Sequence, residues 1–266
     1  MKIFISADIE GIASTTSWED TRPSEKAYPF HAKQMTNEVL AAIEGATAAG
    51  ATEIVVRDAH GPANNIDISV LPEHVSIIRG WSGHPYSMVD GIDSSFDAAM
   101  FIGYHSAAGV LGNPMCHTMT TRTQKAMING QPLSEFLLYS WCAANEGVPT
   151  LFLSGDKDLC QQGVNLYPWL KTSPVKEGYG FETRAVSPAK AVSMIRENAY
   201  EAVKNADLSK CKFQLPEHFS VQLTYKEHCF AHKMSFFPGV IRLDSHTVGF
   251  EEDNFFETVR KLYFIL

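Results

Sequence analysis

Apolar positions along this chain fall in short blocks separated by polar stretches, and the length of each block separates strands from helices. Lys2–Ala7 is a short apolar run and predicts a strand. Residues 30–49 carry a helical pattern that Gly50 closes. Residues 53–57, 75–79 and 98–103 predict three more strands, followed by Asp58-Ala59-His60 after the first and Tyr104-His105 after the third. Asn129-Gly130 marks a tight turn. Residues 134–145 then predict a buried helix, with Ser134 as its cap and Gly147 past its end. Residues 150–154 predict another buried strand, and Pro188–Lys204 a helix with proline at its start.

Short apolar strands alternating with helices predict an α/β fold, with a mainly parallel sheet flanked by helices. After about Asp207 the texture changes. Phe219–Tyr225 alternates as an antiparallel strand does, residues 240–248 look similar, and residues 255–266 predict a closing helix. The expected division is therefore an α/β body over residues 1–206 and a smaller C-terminal α+β element over 207–266.

Composition narrows the function classes. With 266 residues, 45% of them hydrophobic, the chain can bury a sizeable core. Its net charge of −8 disfavours phosphate backbones, so nucleic acid is not an expected partner. No run approaches the ~18 apolar residues of a membrane helix, so no membrane partner is expected. Asp8 and Glu10 break the N-terminal apolar stretch too early for a signal peptide. The five cysteines are widely spread, odd in number and without a C-x-x-C pair. That pattern predicts a reducing, cytoplasmic setting.

The informative polar residues sit at the ends of predicted strands, where open α/β sheets bind ligands. The first strand runs into Asp8-Ile9-Glu10-Gly11, and the second into Asp58-Ala59-His60. Residues two apart on an extended chain point the same way, so Asp8 and Glu10 can converge. A third strand ends at His105. Carboxylates grouped with imidazoles suit zinc or another divalent transition metal. Taken singly, Asp8 and Asp58 also read as caps, and His60 and His105 as hydrogen-bonded structural histidines. Glu135 reads alone as a helix-dipole carboxylate, and His117 as a loop histidine or a general acid/base. His228 and His232 are four apart, but their segment has no convincing helical pattern. Cys116 beside His117 is a weak nucleophile pair, because adjacent residues rarely face each other.

An ordered set of motifs resembles the DppA-type zinc-dependent D-aminopeptidase family. It comprises Ser6-Ala7-Asp8-Ile9-Glu10-Gly11-Ile12, Arg57-Asp58-Ala59-His60 with Asn64-Asn65, and Ser87-Met88-Val89-Asp90-Gly91. It continues through Phe101-Ile102-Gly103-Tyr104-His105, His117, Ile128-Asn129-Gly130, Glu135 and Ser187-Pro188-Ala189-Lys190-Ala191. The resemblance covers residues 1 to about 195. The C-terminal quarter matches weakly, and residues 15–29 depart from the pattern.

The resemblance implies two zinc ions per subunit. Asp8 would bridge them, Glu10 and His60 would complete one shell, and His105 and Glu135 the other. His117 matches the family's additional active-site histidine. The implied activity is hydrolysis of short peptides or amides with an N-terminal D-amino acid, such as D-Ala, by metal-activated water. The implied assembly is a homodecamer of two stacked pentamers enclosing the active sites, with the apolar tail as an interface. Asp58 is a candidate partner for the substrate amine. Preference for D over L rests on the resemblance alone, so an aminopeptidase or amidase acting on L-peptides is the nearest rival. A phosphoesterase lacks a cation cluster near the ligands, Arg57 being the nearest. The non-enzyme rival is a metal-assisted peptide-binding protein.

Overall fold

The computed structural model describes residues 1–266. In chain order the first elements are β1 (Lys2–Ala7), α1 (Tyr28–Ala48), β2 (Glu53–Asp58), β3 (Val75–Ile78) and β4 (Ala98–Tyr104). There follow β5 (Thr123–Ile128), β6 (Gln131–Pro132), α2 (Glu135–Asn145), β7 (Thr150–Asp156), α3 (Lys157–Leu166), β8 (Lys171–Tyr179) and β9 (Glu182–Ala185). The chain ends with α4 (Pro188–Lys204), β10 (Phe219–Tyr225), α5 (His228–Met234), β11 (Ile241–Arg242), β12 (Thr247–Glu252) and α6 (Phe255–Ile265).

Seven strands form one sheet in the order β3-β2-β1-β4-β7-β8-β9. All its neighbours are parallel except β9, which turns back on β8. Strands β4 and β7 are buried along their whole length, as their continuous apolar runs require when both faces are covered. On one face α1 and α4 cover Ile3, Ile5 and Val56. On the other α2 and α6 pack over Phe4 and Phe101, together with a second sheet. The predicted α/β class, mainly parallel and flanked by helices, is the one observed.

The second sheet is antiparallel, in the order β11-β12-β10-β5-β6. Segment 207–266 supplies three of its strands, and β10 pairs with β5 from far upstream. The Asn129-Gly130 turn joins β5 to β6, with both residues at positive φ as the tight hairpin needs. Two local expectations differ from the structure. Residues 240–248 are not one strand, because Asp244 accepts the backbone N–H groups of His246 and Thr247 and folds a turn between β11 and β12. Residues 228–234 do form a helix, α5, which docks through Ala231 and leaves His228 and His232 exposed. No helix is long and apolar enough to cross a membrane.

Candidate metal centre

Three neighbouring parallel strands deliver their carboxyl ends to one place. The Asp8 N–H donates to the Ile102 carbonyl at 2.8 Å, the Gly11 N–H to Gly103 at 2.7 Å, and the Ala59 N–H to Ala7 at 2.9 Å. The approach behind Gly11 is close: a Cβ there would lie 1.8 Å from the Tyr104 carbonyl oxygen, so only glycine fits. This clamp sets Asp8, Glu10, His60 and His105 around a common point. Glu135 enters from the first turn of α2, whose cap is Ser134, its hydroxyl accepting the Leu137 N–H. His117 enters from the loop between β4 and β5.

The distances are short and the ligand groups are largely enclosed. Asp8 divides its oxygens: Oδ1 lies 3.2 Å from His60 Nδ1, and Oδ2 lies 3.5 Å from His105 Nε2. Glu10 Oε2 is 3.0 Å from His60 Nδ1. Glu135 faces both other rings, 3.4 Å from His105 Nε2 and 3.5 Å from His117 Nε2. Asp8, Glu10, His105 and Glu135 are buried, and His60 and His117 are nearly so.

Each imidazole has one nitrogen committed to the backbone. His60 Nε2 meets the Thr21 carbonyl at 3.0 Å, His105 Nδ1 the Ser106 carbonyl at 2.9 Å, and His117 Nδ1 the Met115 carbonyl at 2.9 Å. A carbonyl only accepts, so each of these nitrogens carries the proton. The other nitrogen of each neutral ring then presents a lone pair toward carboxylate oxygens. Lone pair facing lone pair is repulsive unless a cation or an added proton lies between, and metal-binding histidines are held in just this way. Asp8 Oδ2, Glu10 Oε2 and His105 Nε2 are buried without a hydrogen-bond partner. A divalent cation fits this donor set of carboxylate oxygen and imidazole nitrogen.

The electrostatics agree. Burial, reinforced by the Glu10 charge, pushes the Asp8 carboxyl up to about 8. Burial opposes a charged His105, but Glu135 and Asp8 hold its pKa well above the imidazole range. Burial and then the neighbouring His105 lower His117. Without a metal, protons must offset three clustered carboxylates; a divalent cation does so directly.

Over this floor opens a cavity of about 410 Å³, walled by Trp18, Trp81, Met88, Met119 and Thr121. Two sequence expectations fail here. Asp58 is not open to a substrate amine: it is fully buried, and its oxygens accept the Asn65 N–H, the Asn65 side-chain amide and the Ile66 N–H. It anchors the loop that carries His60. Arg57 does not line the cavity either: it is buried beneath Trp81, 4.5 Å from that ring. Arg22 lines the cavity instead. Cys116 is no nucleophile partner for His117, because its Sγ bonds the Val110 carbonyl and burial raises its thiol. All five cysteines are free.

Sequence reasoning missed Lys176. It is fully enclosed on β8, and its Nζ donates to the carbonyls of Glu10 and Thr15 and to the Thr15 hydroxyl. It thereby ties down the loop that carries Glu10. No sequence signal marks it, because β8 mixes buried and exposed positions and its other lysine, Lys171, is exposed.

Comparison with known proteins places these features. A family model described as D-aminopeptidase matches residues 1–264. A D-aminopeptidase of Bacillus subtilis (strain 168) is 29% identical over 264 residues, covering 98% of this chain and 95% of the relative. The solved structure of the Zn-dependent D-aminopeptidase DppA from Bacillus subtilis, described as a self-compartmentalizing protease, has a TM-score of 0.91 and 28% identity. That match covers 100% of this chain and 96% of the other.

Proposed function

The chain belongs to the D-aminopeptidase family, and from that membership we propose that it is a two-zinc aminopeptidase releasing N-terminal D-residues, such as D-Ala, from short peptides or amides. Its class as a metallopeptidase follows from the family. The metal count, the ligand roles and the substrate are our reading. The observation that carries it is the division of Asp8, one oxygen toward His60 and the other toward His105. A carboxylate so placed would serve two metals, which Glu10 and His60 would hold on one side and His105 and Glu135 on the other.

Zinc bound there supplies Lewis acidity for activating water and polarising the scissile carbonyl. The chain supplies the remainder. His117 keeps its Nδ1 proton on the Met115 carbonyl, which leaves Nε2 to take a proton and hand it to the leaving amine. Trp18 packs edge-on against the His117 ring at 5.2 Å and holds it in place. Trp18 and Trp81 give the cavity apolar walls for the substrate to pack against. The subunits assemble into a closed homo-oligomer in the cytoplasm, a decamer of two pentamers. Exposed Leu111, Phe181, Phe236 and Phe264 favour such burial between copies.

The test is hydrolysis of paired D- and L-alanyl peptides and amides, with zinc and with a chelator. Chelator-sensitive cleavage favouring the D-series is expected. Cleavage of the L-series would keep the metal chemistry and discard the D-preference. Stoichiometric binding of both series with no cleavage would overturn the enzymatic reading.

A further inference from the structure

Arg22 is the one cation among the residues lining the catalytic cavity, whose floor holds the carboxylates of Asp8, Glu10 and Glu135. Its guanidinium lies 5.9 Å from the Trp18 ring centroid, and Trp18 in turn lies 5.2 Å from the His117 ring. It stands within the field of Glu19 but forms a salt bridge with no carboxylate of the chain. An unpaired guanidinium at the mouth of an acidic cavity is set for an incoming anion.

The segment that presents it is held on several sides. Asp20 accepts the backbone N–H groups of Thr16 and Ser17, at 2.7 and 3.0 Å. The other Asp20 oxygen lies 3.2 Å from His31 Nε2. The carbonyl of Thr21, the residue before Arg22, meets His60 Nε2. Arg22 is therefore one residue away from a direct contact with the metal centre.

We propose that Arg22, seated on Trp18, binds the C-terminal carboxylate of the peptide substrate and selects dipeptides and tripeptides with a free C-terminus. The proposal rests on the aminopeptidase reading of the same cavity. The chemistry suits a carboxylate, because the guanidinium fork pairs with it through two parallel hydrogen bonds. The span suits a short chain. Arg22 and His117 both lean on Trp18, at 5.9 and 5.2 Å from its ring, and an extended peptide advances roughly 3.5 Å per residue, so one or two residues beyond the scissile bond cover that span. A longer peptide carries its carboxylate past this point and loses the pair. Without Arg22, the cavity lining offers a substrate carboxylate no other arginine or lysine.

The experiment uses the zinc-loaded full chain and two uncleavable pseudopeptides, D-Ala-ψ(CH2NH)-Gly and its C-terminal amide. Binding is read by calorimetry for the wild type, Arg22→Gln and Arg22→Lys. The wild type is expected to bind the acid about ten-fold more tightly than the amide. Arg22→Gln should erase that difference, and Arg22→Lys should keep part of it, having the charge without the fork. Equal affinity of the wild type for acid and amide would overturn the proposal, as would no binding of either. So would an Arg22→Gln variant that weakens both ligands alike. Hydrolysis of D-alanine amide, which has no carboxylate, tests the underlying activity separately. Its cleavage alongside a failed acid preference sinks the carboxylate subsite alone, whereas an acid preference without any cleavage counts against the peptidase.

Discussion

The imidazoles of His105 and His117 lie face to face, with ring centroids 4.3 Å apart and planes 11° from parallel. Both point Nε2 at Glu135, but at different oxygens, His105 at Oε2 and His117 at Oε1. Two stacked imidazolium rings in a buried site would repel each other. Burial and the neighbouring His105 accordingly lower the pKa of His117, whereas Glu135 and Asp8 raise that of His105. The rings are alike in sequence terms, but in the metal-free chain they differ in charge preference, and a metal at the centre would take the Nε2 of His105. His117 is the one placed to exchange a proton.

His117→Ala should therefore lower kcat by roughly 10²- to 10⁴-fold, the usual contribution of a positioned acid or base. Zinc content, measured by atomic absorption, should stay at the wild-type level. Loss of zinc along with activity would place His117 among the metal ligands, a role its closeness to Glu135 makes the natural rival.

Asp8 and Glu10 should separate in the same measurement. Asp8→Asn removes the charge shared by both sides of the centre, so zinc per subunit should fall on both. Glu10 faces His60, so Glu10→Gln should deplete one zinc and spare the other. Equal zinc loss in the two variants would argue against a bridging Asp8.

The parts of this site that were legible in the sequence are those that sit at strand ends. A strand buried on both faces reads as a continuous apolar run, and the polar residues after it stand out. Asp8, Glu10, His60 and His105 were visible in this way. Glu135 and His117 come from a helix start and a loop, and no spacing ties them to the sheet; only the family resemblance linked them. The β5–β10 pairing joins residues about a hundred positions apart, and β5 alternates weakly, so local pattern carries no trace of it. Asp58 has the same residue type and setting as Asp8. What separates them is the set of N–H groups from Asn65 and Ile66 that saturate Asp58, and this depends on how the following loop folds back.

Lys176 is expected to act on metal affinity from outside the ligand set. Lys176→Met would leave the Thr15 carbonyl without its donor, at a cost of about 1–3 kcal/mol, and would strip the Glu10 carbonyl of one donor while the Asn113 amide remains. The melting temperature should fall. Zinc affinity, read by competition with a chelator, should fall about 10- to 100-fold, as when other groups that orient ligands are removed. Affinity within two-fold of wild type, in a variant that still folds, would show that the loop holds its shape without this tie.

Glu38 supplies a pH signature separable from catalysis. It is fully buried on α1, where Oε1 accepts the Ala13 N–H and the Gln34 amide while Oε2 has no partner. Burial pushes its carboxyl up to about 7 from an ordinary 4.5, against the pull of those hydrogen bonds and of Lys176. Between these pH values the folded chain holds a proton that the unfolded chain has released. Stability from this group is therefore fully present below pH 4.5 and is lost as pH rises through about 7. A shift of that size corresponds to about 3 kcal/mol at most. Glu38→Gln keeps an acceptor for Ala13 and Gln34 without a titrating proton, so it should escape this loss. The variant should gain stability relative to wild type as pH is raised from 4.5 to 8, read from urea midpoints at matched ionic strength. A difference between the two proteins that stays constant over that range would mean that Glu38 remains ionised in the folded chain.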